Sequence, residues 1–366
     1  MKAYNLRGVS DLRLENVANP KADNRSVVVK VRAAGICGSD IPRIYVNGTY
    51  HFPTIPGHEF AGEVVDGDTN YLGKKIGVFP LIPCMDCDMC KQRRYEMCKN
   101  YNYLGSRCDG GFAEYVKVPK WNLIELEDGI SFADAAMMEP MAVAVHAIRT
   151  TFLRKDDFLN KKVFNIEEKK IESRGNDLKI AVCGLGTIGF CIVMFLLQMG
   201  FKNVYAIGNK DFQRKKALEL GIRAENYVDI HDMSDENGNI KDECNEKFDV
   251  FFEAVGKNEI INMALCATAP GGRIKFVGNP ASDISMPRNV YWKILRKQLT
   301  ITGTWNSSFL HDENDDWNYV HKCLSEKTIN PSVLVTHTFD FENLMEGFEL
   351  MHEKKENFVK VMGIFD

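Results

Sequence analysis

Four cysteines stand close together in PCMDCDMCKQRRYEMC, at Cys84, Cys87, Cys90 and Cys98, spaced C-x2-C-x2-C-x7-C. Thiolates are soft ligands, and four of them close a tetrahedral shell around zinc with no position left for a substrate. Such a site staples a loop and does not react. An iron–sulfur site or four unrelated thiols are the other readings, but thiols this dense rarely lack a metal, so structural zinc is expected. Cys108, in GSRCDGG, is a nearby fifth thiol and reads as a bystander, because four ligands already suffice.

A second set is dispersed: Cys37 in GICGSD, His58 and Glu59 in PGHEF, and Glu139 in MMEPMAV. Thiolate, imidazole and carboxylate together make a mixed shell with one open position, which a catalytic zinc needs if a substrate oxygen is to reach it. Singly, each residue has an ordinary explanation. A cysteine after a strand packs as filler, a histidine before glutamate sits on the surface, and a glutamate before proline opens a helix. Ser39 and Asp40, next along in Gly-Ser-Asp, read by themselves as a turn. Spacing alone does not choose between these readings.

A third pattern is a G-x-G-x-x-G built from Gly184, Gly186 and Gly189, with Thr187 and Ile188 between the last two. KIAVC supplies a strand before it and TIGFCIVMFLLQMG a helix after it, the setting in which this pattern binds the pyrophosphate of a dinucleotide. The next strand, NVYAIG, ends on Gly208, where NAD enzymes carry the acid that binds the ribose hydroxyls. Glycine removes the repulsion of a 2′-phosphate and leaves room. Asn209 can donate hydrogen bonds, and Lys210 and Arg214 can neutralise the phosphate. The competing reading is that the two cations decorate a solvated helix while Asp211 or water serves the ribose. NADP is the expected cofactor, with NAD the less favoured.

The elements that must hold these residues follow from texture. Residues 1–120 read as short β-branched strands such as SVVVKVRAAGI, EFAGEVV and FAEYVKV, separated by glycine, proline and asparagine. A helical pattern begins near 131, and a lysine-rich polar connection follows at about 154–175. Strands and helices then alternate to about 300, which argues for a parallel sheet covered on both faces. The 366 residues suffice for two domains, and 45% hydrophobic with 26% charged residues is the composition of a folded, soluble chain. A net charge of −4 gives no sign of a nucleic-acid partner. No run of 18 apolar residues suggests a membrane span, and the first residues lack a signal-peptide core, so a cytoplasmic protein is expected.

GICGSD, PGHEFAGEVV, the four-cysteine loop, DGGFAEY, MEPMAVAVHA and CGLGTIG succeed one another in an order that resembles the zinc-dependent medium-chain dehydrogenases over essentially the whole chain. CGSDIPRIYVNG, YLGSRCDGGFAEY and KILRKQLTITGTW are most similar to the polyol branch. The resemblance implies an α/β protein with a discontinuous, twisted-β (GroES-like) catalytic domain at 1–148 and 301–366. A doubly wound Rossmann domain would occupy 149–300, with the catalytic cleft between the two and two zinc ions per chain. Cys37, His58 and Glu139 would hold the catalytic zinc, with Glu59 behind them or alternating as a ligand, and a glutamate in third place points to sugar alcohols. Asp40 would fix the ring of His58, and Ser39 would take the substrate proton as hydride passes to the nicotinamide. Many relatives carry a relay histidine where this chain has Pro42, which leaves His51 as a weak substitute.

Val277, Gly278, Asn279 and Thr304 would present themselves to the nicotinamide, with Trp305 lining the substrate side. Arg43 and Arg107 are the cations available for a substrate phosphate, although both also read as surface residues. The lysine-rich segment looks like an insertion with no function assigned. The small-molecule substrate expected is a polyol or its phosphate, the alternatives being a simple secondary alcohol or a catalytically silent zinc-stabilised binding protein. Relatives form dimers or tetramers, so a homo-oligomer is expected.

Overall fold

The segment SVVVKVRAAGI folds as the strand Ser26–Ile36, buried along almost its whole length because it is paired on both edges. One edge pairs antiparallel with Glu59–Asp66. The other is shared, its first half by Tyr115–Pro119 and its second half by Lys360–Ile364. Lys75–Val78 and Leu123–Glu125 extend the sheet beyond Glu59–Asp66, and Val335–Phe339 extends it beyond Lys360–Ile364. Alternate residues Val27, Val29 and Val31 enter one core with Phe60, Phe112 and Phe348. The Phe112 and Phe348 rings meet edge to face at 5.0 Å.

In this computed structural model the described residues are 1–152, 177–235, 241, 244–313 and 315–365. The lysine-rich stretch at 154–175 lies outside them. The chain divides into two compact units, Met1–Ala142 with Ser308–Asp366, and Val143–Ser307.

The second unit is a six-stranded, all-parallel sheet. Numbered along the chain its strands are Ile180–Cys183, Val204–Gly208, Tyr227–Asp229, Phe248–Glu253, Thr268–Phe276 and Thr300–Gly303, and across the sheet they run third, second, first, fourth, fifth, sixth. That is the order of a doubly wound dinucleotide fold, with its switch point beside the first strand. Ala181, Cys183, Ile207, Phe251 and Ile274 share a core with Ile261 and Leu265 of the helix Asn258–Ala267. The alternate residues Ile180, Val182, Val250 and Phe252 are equally buried, so both faces are covered, as parallel sheets require. Among the described residues, no helix is long and apolar enough to cross a membrane.

Among the described residues, two lysines are buried in this unit on different terms. Lys297 donates to the carbonyls of Leu265, Cys266 and Thr268, at the end of the helix Asn258–Ala267, where the helix dipole favours a cation. Lys275 follows Ile274 and so faces the opposite side of the sheet. It is 1% exposed, with Nζ 3.0 Å from Thr150 Oγ1 and 3.4 Å from the Gly303 carbonyl. Burial lowers its pKa from 10.5 to about 8, with no carboxylate among the causes to oppose it.

Because the folded-state pKa lies below the unfolded one, the cost of holding the charge is fully present below pH 8 and fades as pH rises toward 10.5. A shift of this size is worth roughly 3 kcal/mol. Lys275→Met is therefore expected to raise the unfolding midpoint at pH 7, with the gain shrinking between pH 8 and 10, as read by thermal denaturation across that range.

Candidate active site

The strand Ser26–Ile36 ends one residue before Cys37, and its neighbours begin at Glu59 and Lys360. Gly35 lies opposite Glu59, and Ile36 opposite Val361. Three strand ends therefore bring Cys37, the His58–Glu59 pair and Lys360 to one place. Ligand atoms of Cys37, His58 and Glu59 lie within 4.8 Å of one another. Lys360 is 1% exposed, donates to the Ile36 carbonyl at 3.1 Å, and forms an ion pair with Glu59 Oε2.

Asp40 organises the other side of the cluster. Fully buried, it accepts the Cys37 amide at 3.0 Å through Oδ2, while Oδ1 takes Arg43 at 2.7 Å and faces His58 Nδ1 at 3.4 Å. Burial by itself would raise the Asp40 pKa, but His58, Arg43 and the Cys37 amide outweigh it and hold the carboxyl below its usual value. Burial would likewise keep His58 neutral, and Asp40 and Cys37 reverse that, raising the imidazole well above its ordinary pKa. Ser39 Oγ donates to Cys37 Sγ at 3.2 Å.

Glu139 enters from the first turn of the helix Met138–Phe152. Its Oε1 accepts the Tyr103 hydroxyl at 3.1 Å. Burial, aided by Glu59 and opposed by His58 and Lys360, pushes its pKa up to about 7. The carboxylate grouped most tightly with Cys37 and His58 is that of Glu59, and Glu139 stands next to them against Tyr103. The buried Nδ1 of His58 and Oε2 of Glu59 meet charged partners, Asp40 and Lys360, outside ordinary hydrogen-bond geometry. A half-buried thiol within 4.8 Å of a buried imidazole and a buried carboxylate suits a borderline-soft divalent ion such as zinc.

The four other cysteines gather separately. Their sulfurs lie 3.9 Å apart for Cys84–Cys90, 3.6 Å for Cys87–Cys90 and 3.9 Å for Cys87–Cys98. Zinc–sulfur bonds of about 2.3 Å in a tetrahedron imply sulfur–sulfur edges of about 3.8 Å. The cage therefore already has zinc dimensions. The Cys90 and Lys99 amides lower the Cys87 thiol to about 6, which favours the thiolate that such an ion requires. Cys108 lies outside this group.

In the second unit the glycine turn links Cys183 to the helix Thr187–Gln198. Gly184 has φ +101°, and a side chain there would strike Ala254 and Val255. At Gly189 a Cβ would collide with the Gly184 carbonyl, whereas Gly186 faces open space. These are the three requirements of a pyrophosphate loop: a tight turn, free approach to backbone, and close helix–strand packing. Thr187 and Ile188 form the first turn of that helix. The Val277 and Gly278 amides donate to the Glu253 carbonyl, and the Thr304 Oγ1 is buried without a partner.

Residues 23–128 match the family described as alcohol dehydrogenase GroES-like domain, and residues 187–326 match zinc-binding dehydrogenase. The chain is 30% identical over 327 residues to galactitol 1-phosphate 5-dehydrogenase of Escherichia coli K12, covering 88% of this chain and 87% of that protein. It belongs to the zinc-dependent medium-chain dehydrogenases. Sorbitol dehydrogenase of Bacillus subtilis is 26% identical over 373 residues, 99% of this chain and 96% of that one. The crystal structure of galactitol-1-phosphate dehydrogenase from Escherichia coli superposes with a TM-score of 0.84 at 26% identity over the full length of both chains. The protein is thus an NAD(P)-dependent oxidoreductase of the alcohol and polyol class.

Within this dehydrogenase the remaining expected residues have distinct fates. Arg43 is engaged by Asp40 at 2.7 Å. Arg107 lies between the Tyr50 and Tyr101 rings, at 3.9 and 4.4 Å, with its buried Nε lacking a partner. Both ring nitrogens of His51 face backbone carbonyls, of Pro53 and Arg107, which leaves neither free to relay a proton. Trp305 is 62% exposed.

Gly208 does not open a void. Gln213 Oε1, the Tyr227 hydroxyl and a Leu185 methyl stand where its side chain would be. Gln213 accepts the Asn209 amide at 3.0 Å and donates to the Leu185 carbonyl at 3.1 Å, tying the helix Asp211–Glu219 to the glycine loop. Lys210 precedes that helix, and Arg214 lies over the Tyr227 ring at 5.9 Å.

Tyr103 and Lys360 were not legible as site residues. The signal for Lys360 was a lone cation in the apolar run FVKVMGI, whereas Tyr103 gave none among the aromatics around it.

Gly35 is the tightest point of the cluster. A Cβ there would press on Glu59 Oε2 and on Lys360 Cε, 2.7 Å away. Gly35→Ala is expected to cost roughly 1–3 kcal/mol in chemical denaturation, since overpacking here displaces a buried ion pair.

Proposed function

We propose that this dehydrogenase transfers a hydride between NADP(H) and a secondary hydroxyl of a polyol or polyol phosphate. The chemistry would take place at a zinc centre held by Cys37, His58 and the carboxylates Glu59 and Glu139. The observation that carries this reading is the convergence of thiol, imidazole and carboxylate atoms within 4.8 Å, the imidazole and carboxylate buried and the carboxylate paired with Lys360. A second, structural zinc is assigned to Cys84, Cys87, Cys90 and Cys98. When bound, the catalytic ion supplies Lewis acidity to the substrate oxygen and the nicotinamide supplies the hydride acceptor.

The chain's own residues do the rest. Asp40 faces His58 Nδ1 and so leaves Nε2 for the ion, and Arg43 keeps Asp40 charged. Ser39, beside the Cys37 sulfur, takes the proton of the substrate hydroxyl. With proline at position 42 and His51 bound to carbonyls, that proton passes from the exposed Ser39 directly to water. Gly184, Gly186, Thr187, Ile188 and Gly189 cradle the pyrophosphate. Val277, Gly278, Asn279 and the unpartnered Thr304 hydroxyl receive the carboxamide.

Support for NADP comes from the missing acid at Gly208 together with Asn209, Lys210 and Arg214 around the helix start. A substrate phosphate is assigned to Arg107, whose guanidinium is held by two aromatic faces yet keeps an unpaired Nε. The cytoplasm suits eleven cysteines that are all free of disulfides. A homo-oligomer suits the edge strand Thr300–Gly303 and the exposed Tyr291, Trp292 and Leu295 on the helix before it.

Four measurements test the reading. Turnover of polyols and their phosphates is expected with NADP ahead of NAD, and faster turnover with NAD overturns the cofactor assignment. Lys210→Ala and Arg214→Ala should each raise KM for NADP about tenfold while leaving NAD kinetics unchanged, the mark of lost uniform binding. Ser39→Ala should lower kcat by about 10²- to 10⁴-fold. Metal analysis should return two zincs per chain, a single zinc favouring a scaffold. Turnover of simple secondary alcohols alone would favour the secondary-alcohol reading.

A further inference from the structure

Tyr103 joins the two metal groups of the first unit. The loop carrying the four cysteines is closed by a short antiparallel pair, Leu81–Ile82 with Asn102–Tyr103, in which Leu81 lies opposite Tyr103. The Leu104 amide fixes the end of that pair to the Pro80 carbonyl at 3.0 Å. The chain therefore leaves the thiolate cage at Cys98 and, five residues later, delivers the Tyr103 side chain into the mixed cluster. There the hydroxyl donates to Glu139 Oε1 at 3.1 Å, and the ring lies 5.7 Å from the His58 ring at a 59° tilt. Its contacts thus reach two of the four groups assigned to the ion.

A carboxylate that offers both oxygens to zinc takes two positions of its shell, and a catalytic shell must keep one position for substrate. Here Glu59 is grouped with Cys37 and His58 while Glu139 stands close by, so the centre holds one carboxylate more than a three-ligand site needs. Lys360 engages one oxygen of Glu59, and Tyr103 engages one oxygen of Glu139. We infer that Tyr103 is a positioning residue for Glu139: by occupying one lone pair of Oε1 and fixing the carboxylate's rotation it makes Oε2 the favoured oxygen for the ion, so that this carboxylate binds through a single oxygen and the substrate position stays open. The inference rests on the reading of Glu139 as a zinc ligand. It also gives the four-cysteine loop a second duty, because that loop sets where Tyr103 stands.

The test uses holoenzyme whose catalytic ion has been exchanged for cobalt(II), comparing the parent with Tyr103→Phe, Glu139→Ala and the double variant. The readouts are the cobalt d–d absorption bands and the rate at which a chelator strips the ion. Tyr103→Phe keeps the ring and is expected to shift the bands and speed stripping about 10- to 100-fold, the range for loss of a group that orients a metal ligand. If Tyr103 acts through Glu139, the double variant should be no worse than Glu139→Ala alone.

Unchanged bands and stripping in Tyr103→Phe, with both altered in Glu139→Ala, overturn the inference and leave the ligand assignment standing. Additive losses in the double variant also overturn it. No change in Glu139→Ala overturns the ligand assignment itself. Should Tyr103→Phe not fold, 2,3-difluorotyrosine at position 103 keeps the shape and alters the strength of the donor, and unchanged bands in that protein overturn the inference.

Discussion

Burying charge without leaving it unpaired is the constraint on which the first unit depends. Cys37, Asp40, His58, Glu59, Glu139 and Lys360 meet where three strands end, and all but Cys37 are less than a tenth exposed. Single charges in such a place cost several kcal/mol each, and only mutual pairing makes the group tolerable. Lys360 answers Glu59, Arg43 and His58 answer Asp40, and Tyr103 answers Glu139. A divalent cation would join the Cys37, His58 and Glu59 ligand atoms that these pairs hold within 4.8 Å of one another.

The second unit solves a different problem with backbone. A helix start and a glycine turn suit an anionic cofactor, whose approach side chains would obstruct. Gly184 and Gly189 are required by collisions that any Cβ would make, one with the fourth strand's end and one with the turn itself. Beyond the turn, Gln213 occupies the space beside Gly208 and couples the second helix to the glycine loop. The absence of an acid at Gly208 is therefore accompanied by a neutral amide and a phenol in its place. Asp229, opposite Gly208 on the neighbouring strand, and Asp211 at the helix start are the carboxylates that remain nearby.

The periodic and local features were readable in the chain. SVVVKVRAAGI reads as a strand and forms one, and KIAVC followed by G-x-G-x-x-G reads as a nucleotide turn and has the collisions of one. The four cysteines were readable because their spacing is short enough for a single loop to bring the sulfurs together. The mixed cluster was readable only through resemblance, since Cys37, His58 and Glu139 are spread over about a hundred positions. Arg43 and Arg107 looked equivalent in the sequence. Their partners separate them: Asp40 takes the first, and two tyrosine rings hold the second while leaving Nε unpaired.

Residue type and near-neighbour spacing determined by themselves two of the chemistries this chain can support: soft ligands for one ion and a glycine turn for a dinucleotide. Strand register decided the rest. Pairing Ile36 against Val361 and Gly35 against Glu59 is what carries Lys360 into the cluster from 324 residues away. Pairing Leu81 against Tyr103 is what sets a phenol against Glu139. Such contacts arise from hydrogen bonds between distant backbones, and no local pattern of side chains encodes which strand will lie beside which.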